Sequence, residues 1–334
     1  MMKLIITIDT EEDQWGSFKP TGHTVENIRQ IPKLQALFDE FGVTPTYLIN
    51  YPVATDENAI KILSNIAKDE RCEIGSHCHP WNTPPYSEIT NEENSMIRNL
   101  PSDLQYEKLK CLHETIKTNF GITPVSFRSG RWGYSQEVAN NLYKLGYKID
   151  TSITPYISWK QYYGADYSYI SPDPFRLKCG VQGDSKNRGD TTLLHIPATV
   201  GYLRSDFKLS NRIYQVASKP GMRKFRLLGL LEKLKLVEQV VLSPEINSAS
   251  QMIALTKIMQ RKEVRYVNLF FHSTTLMVGA TEYVRTSEDE AAFYGKMRAY
   301  LEYIKESNIE SIMLCDTQRL LRHTEIEIKE QILI

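Results

Sequence analysis

The run Leu4-Ile5-Ile6-Thr7-Ile8-Asp9-Thr10, with Glu11-Glu12-Asp13 directly behind it, is a β-rich segment that ends in carboxylates. A helical pattern follows over roughly 24–41, with Gly42 as its stop. The same alternation then repeats along the chain. Strands are predicted at Thr44–Ile49, Cys72–His77, Ser126–Gly130, Lys148–Ile153, Thr192–Thr199, Val267–Ser273 and Ser311–Cys315. Helices are predicted near Asn58–Lys68, Asp103–Phe120, Ser135–Leu145 and Glu288–Ser307. Strands alternating with helices imply parallel βαβ units, and seven or eight of them imply a barrel. The expected fold is therefore α/β, a distorted (β/α) barrel of about seven parallel strands with a helical insertion.

Length and composition agree with that reading. The chain has 334 residues, 41% hydrophobic and 24% charged, with 40 Lys+Arg against 40 Asp+Glu. One domain spanning 1–334 is expected, since α/β barrels run longer than other domains. An irregular loop at 156–190 and a basic helical insertion at about 202–243 account for the extra length. A net charge of zero argues against a whole-protein nucleic-acid binder. The start lacks the 7–15-residue apolar stretch of a secretory signal, and the five scattered cysteines read as reduced thiols, so a cytoplasmic location is expected. Oligomeric state is left open.

Polar residues gather at the predicted strand ends, where α/β barrels place their sites. Asp9 and Glu11 stand at i and i+2, on one face of an extended segment. One carboxylate can take a proton while the other holds a cation; an acidic surface loop is the plainer alternative. His77 and His79 repeat the i, i+2 spacing in Glu73-Ile74-Gly75-Ser76-His77-Cys78-His79-Pro80-Trp81. Two His and one carboxylate suit zinc or another divalent transition ion. A third cluster, Ser126-Phe127-Arg128-Ser129-Gly130-Arg131-Trp132-Gly133, ends a strand in arginine. The fourth, Asn268-Leu269-Phe270-Phe271-His272-Ser273, delivers one His at a strand end.

Taken together, the order and spacing of these clusters resemble the polysaccharide deacetylase superfamily, the NodB-homology or carbohydrate esterase family four group. The closest likeness is to its WalW-like branch, carried by His77-Cys78-His79-Pro80-Trp81-Asn82-Thr83-Pro84-Pro85, by Ser126–Gly133 and by His272–Leu276 with Gly279–Thr286. The resemblance implies Asp9 as the general base toward the attacking water and Arg128 as the residue that fixes it. It implies His272 as the acid toward the leaving amine and Asp150 as the carboxylate that tunes that His. For the metal it implies His77 and Glu11. The family's second His falls where this chain has Trp81, so His79 must substitute for it. The ion expected is divalent, zinc first, with Co, Mn or Ni also accepted by such ligands.

Trp81, Arg131 and Trp132 are the candidate substrate-binding residues, with Trp15 and the tyrosines of 156–169 as further walls for a sugar ring. The implied activity is metal-dependent removal of an N-acetyl group from an acetylated amino sugar in cell-surface glycan metabolism. Two alternatives remain: a metal-independent amidase or ureide hydrolase of the allantoinase-like branch, and a carbohydrate-binding protein without catalysis. Residues 203–240 carry nine positive charges against three negative ones, interleaved with Leu and Phe. That segment reads either as helices packed on the barrel with a solvated basic rim or as an arm making peripheral contact with an anionic membrane.

Overall fold

The computed structural model describes residues 2–14, 16–180, 191–218, 237–321 and 326–331. Seven strands lie parallel in one sheet: β1 (Lys3–Thr10), β2 (Thr46–Ile49), β3 (Glu73–Cys78), β4 (Ser126–Ser129), β5 (Ile149–Asp150), β7 (Thr192–His195) and β10 (Tyr266–His272), in the order β10-β1-β2-β3-β4-β5-β7. Beyond β7 the sheet continues with β6 (Phe175–Lys178), antiparallel, and β12 (Glu327–Lys329), while β11 (Glu310–Ser311) joins the foot of β1. A separate hairpin pairs β8 (Val200–Tyr202) with β9 (Gln239–Val241).

Because side chains alternate along a strand, β1 divides its residues between two environments. Leu4, Ile6 and Ile8 face the main core, where the helices bury Leu34 and Phe38, Leu109, Leu112 and Ile116, and Met297 and Leu301 at helical spacing. Ile5 joins Ile149, Leu194 and Tyr266 in a second apolar cluster on the opposite face. One layer further along that face, Thr7 donates to Asn268, and the Asn268 amide donates to Thr151 at 2.9 Å. Asn268 is in β10 and Thr151 directly follows β5. Five strand spacings separate them, roughly 24 Å in a flat sheet. A hydrogen bond across that interval requires the sheet to curl round its own interior.

The expected closure into a barrel is nevertheless corrected. Among the described residues no ladder joins β7 to β10, because β7 gives its outer edge to β6. Single hydrogen bonds cross the gap instead: Thr199 donates to the Asn268 carbonyl, and Phe270 to that of Leu242. Three further expectations shift. The 24–41 helix is regular only from Ile31, after a 3-10 turn at Glu26–Gln30, since Pro32 lacks an N–H and cannot be preceded by a full α-turn. The 156–190 loop contains β6, whose buried Phe175 and Leu177 alternate with less buried Arg176 and Lys178. The strand predicted at 311–315 turns into a 3-10 segment at Leu314, where Thr46 and Glu73 accept the Leu314 and Cys315 N–H groups. The insertion holds a helix at Phe207–Ala217, whereas 219–236, with six of the nine positive charges of the expected basic arm, lies outside the described residues. Trp15 lies outside them as well. Among the described residues no helix is long and apolar enough to cross a membrane.

The loop after β3 is tied down by Lys108 on the helix Ser102–Phe120. Its ammonium is fully buried and donates to the carbonyls of Pro80, Thr83 and Pro85 at 2.6–2.9 Å while pairing with Glu88 at 2.9 Å. Removing one partner of such a buried pair costs about 3–5 kcal/mol. Lys108→Met is therefore expected to lose that much in urea denaturation. A loss below about 1 kcal/mol would show that the carbonyls and Glu88 find other partners.

Candidate active site

All seven parallel strands point their C-terminal ends to one rim, so the residues that close them meet there. Asp9 is in register with His272, and His77 with Arg128. Arg128 is fully buried. Its Nη1 donates to Asp9 Oδ1 at 2.6 Å, its Nη2 to Thr7 at 2.6 Å, and its Nε to the Thr151 carbonyl at 3.2 Å. The guanidinium also lies over Trp132 and Phe270, at 5.0 and 5.5 Å. Burial alone would raise the Asp9 pKa; Arg128, then His77 and His272, outweigh it and hold the carboxyl below its usual range.

Glu11, His77 and His79 converge as a buried group able to hold a metal ion, their ligand atoms within 4.8 Å of one another. The ring nitrogens explain why they point inward. His77 Nδ1 donates to the Arg128 carbonyl at 3.1 Å, and His79 Nδ1 faces the Glu12 carboxylate at 3.2 Å. With Nδ1 committed in both rings, each Nε2 is turned to Glu11 Oε2, at 3.5 and 3.2 Å. That tautomer is the one a metal ligand needs. Against burial, Glu12 and Glu11 push His79 up to about 10, so a proton on Nε2 stands where a cation would replace it. The backbone N–H of Glu11 is anchored on Ser273 Oγ. Gly130 closes the floor: a Cβ there would run into the His79 ring and come within 2.7 Å of the Cys78 carbonyl oxygen.

His272 is partly buried and turns Nε2 toward Asp9 Oδ2, 3.8 Å away. Its other side corrects the expectation for Asp150. That carboxylate is fully buried against His195, 3.2 Å away, and accepts from Ser152, so it is spent inside the sheet. The acid beside His272 is Glu245, which accepts from the His272 backbone N–H at 2.9 Å, faces Nδ1 at 3.1 Å, and is bonded by Thr275. Against burial, Glu245 pushes His272 up to about 9. Glu245 follows β9 in Ser243-Pro244-Glu245, a carboxylate just past a strand, which is the one signal its sequence offers.

These groups open into a cavity of about 410 Å³. Trp81 stacks on His79 at 4.1 Å, and Trp132 on Trp159 at 6.4 Å. Phe18 meets the edge of Trp81, and Arg131 reaches over Phe18 and Tyr162. Arg131 is also paired with Glu92 at 3.2 Å, so its charge is partly committed at the rim. Arg131 and Trp132 are consecutive non-glycine residues at positive φ, 54° and 59°. Strain of this kind persists where surrounding structure imposes it, here with Tyr167 bonded to the Trp132 carbonyl at 2.6 Å. Phe18, Met96, Ile157 and Ile246 also line the cavity and carried no motif in the sequence, and Tyr283, from the 279–286 block, joins them.

No protein-family model matches the chain, and no curated protein sequence matches it. Solved structures do. A protein assigned as a polysaccharide deacetylase from Mycobacterium smegmatis is 15% identical, with 100% of this chain and 94% of that one covered at a TM-score of 0.53. A protein assigned as a glycoside hydrolase/deacetylase from Parabacteroides distasonis is 13% identical, covering 97% and 72% at 0.59. Puue allantoinase is 12% identical, covering 97% and 91% at 0.52. At these identities the likeness is one of fold: the chain shares the fold of polysaccharide deacetylases.

Two outcomes are expected from this geometry. Glu245→Gln removes the charge that favours the imidazolium, so His272 should titrate about 1 unit or more below its wild-type value near 9. Histidine NMR on the metal-free protein reads this, and an unmoved titration would take Glu245 out of the pair. Gly130→Ala should displace the His79 ring and weaken divalent-ion binding by Glu11, His77 and His79, read by titrating the purified protein with zinc, with unchanged binding as the contrary result.

Proposed function

We propose that this protein is a metal-dependent hydrolase that removes an N-acetyl group from an acetylated amino sugar. One observation carries the reading: a buried carboxylate paired with Arg128, an imidazole paired with Glu245 and a Glu/His/His group share one cavity. A binding protein needs no such proton-transfer set. The shared fold supports the same class, and the stacked tryptophans suit the apolar faces of a sugar ring.

The residues present fit a divalent ion, since both imidazoles offer Nε2 beside a carboxylate. Glu11, His77 and His79 would hold it, and when bound it supplies Lewis-acid polarisation of the amide carbonyl and acidification of the attacking water. The rest is the work of the chain. Asp9 accepts the proton that water loses as it adds to the carbonyl carbon. Arg128 keeps Asp9 ionised and fixes which oxygen is free: Oδ1 is engaged, leaving Oδ2 toward the cavity and His272. His272, charged through Glu245, gives its Nε2 proton to the nitrogen as the C–N bond breaks. Acetate and the free amine leave, and Asp9 and His272 exchange back their protons with solvent. Positioned acid and base groups of this kind are worth typically about 10²–10⁴-fold each.

The test is acetate release from N-acetylated amino sugars with and without chelator, beside elemental analysis of the purified protein. Chelator-sensitive release is expected. Chelator-resistant hydrolysis of amides or ureides would favour the metal-free alternative, and retained sugar binding without hydrolysis would leave only a lectin-like role. Asp9→Asn should lower kcat by at least about 100-fold with metal content unchanged. Loss of metal in that variant would make Asp9 a ligand.

A further inference from the structure

We propose that Glu12 is the residue that fixes His79 as a metal ligand and sets how tightly the ion is held. The inference rests on the reading of Glu11, His77 and His79 as the ligand group. Glu12 is only 2% exposed, as deeply buried as Glu11 beside it, yet it is not one of the three converging ligand residues. Both of its oxygens face His79 Nδ1 at 3.2 Å. Oε1 also accepts from the Trp81 indole N–H at 3.1 Å, and the Asn50 amide donates to Oε2. Asn50 is itself held, because its Oδ1 caps the helix Tyr51–Thr55. Three donors from two loops, those after β2 and β3, thus leave the carboxylate one orientation.

With an ion on Nε2, that arrangement would form a carboxylate–histidine–metal relay. An anion on Nδ1–H fixes the tautomer, aims the ring and makes Nε2 a stronger donor. The two histidines differ in this respect. His77 rests its Nδ1 on the neutral Arg128 carbonyl at 3.1 Å, with the Asp9 carboxylate farther off at 4.0 Å, whereas His79 has a carboxylate at 3.2 Å and so the closer anionic support. A Gln in place of Glu12 can accept with one atom, but its amide would face one of the three donors with a donor of its own. Trp81 shares the same carboxylate and covers the His79 ring, so the wall that a sugar would meet is keyed to the ligand beneath it.

Zinc affinity measured by competition with a chromophoric chelator tests this on the purified full chain. Glu12→Gln and Glu12→Ala are expected to weaken zinc binding roughly 10–100-fold. Trp81→Phe, which keeps a ring over His79 but lacks the indole N–H, should stay within a few-fold of wild type. Wild-type affinity in Glu12→Gln would overturn the inference, as would an equal loss in Trp81→Phe, which would assign the effect to packing. A wild-type protein that binds no zinc removes the ligand reading as well; tight wild-type binding with an indifferent Glu12→Gln removes only this inference. Should the Glu12 variants fail to fold, 15N histidine spectra of the zinc-loaded wild-type protein decide. His79 protonated at Nδ1 and ligated through Nε2 is expected, and ligation through Nδ1 overturns it.

Discussion

The Arg128 guanidinium sits at the centre of the curled sheet, and the arrangement above and below depends on it. A buried charge is tolerated only when paired and fully hydrogen-bonded. Arg128 meets that condition by binding β1 through Thr7 and Asp9 and the end of β5 through Thr151. One residue therefore joins strands on opposite sides of the interior. The same contacts decide the chemistry, since the acceptor that satisfies the cation is the carboxylate proposed as base. In that reading one ion pair both steadies the curled sheet and holds the base ionised.

Below Arg128 the interior is apolar, with Ile5, Ile149, Leu194 and Tyr266; around it is a hydrogen-bonded layer of Thr7, Thr151 and Asn268; above it are Asp9 and His272. Along β1 this is the sequence Ile5, Thr7, Asp9 read at every second residue. The progression from apolar to polar to ionised explains how a site with several buried charges is compatible with a fold. The charges lie at the open end, where the cavity begins, and each has a fixed partner.

That progression is also why much of the site is legible in sequence. Parallel strands bring their C-terminal ends together whatever their separation along the chain, so Asp9, His77, Arg128 and His272 can be read as neighbours from strand ends alone. The register pairs Asp9 with His272 and His77 with Arg128. What escapes is what loops decide. Asp150 has the right place in the order but lies one layer too deep, against His195, and Glu245 reaches His272 from the β9 side instead. The open ladder is equally a matter of partner choice, because β6 is a short strand inside a stretch whose Tyr, Gly and Pro content reads as loop. Nothing local to residues 192–195 says which neighbour takes the edge.

The cavity walls come from separate loops: Phe18 after β1, Trp81 after β3, Arg131 and Trp132 after β4, Trp159 and Tyr162 after β5. Their ties to the chemistry are unequal. Phe18, Trp159 and Tyr162 make their ring contacts with other wall residues, Trp81, Arg131 and Trp132, so drift at these positions would reshape what fits more than how it reacts. Trp81 has no such freedom, being held by Glu12 and stacked on His79. In a lineage of proteins with this site, substrate preference would diversify along one side of the mouth, while the side formed by Trp81 stayed fixed.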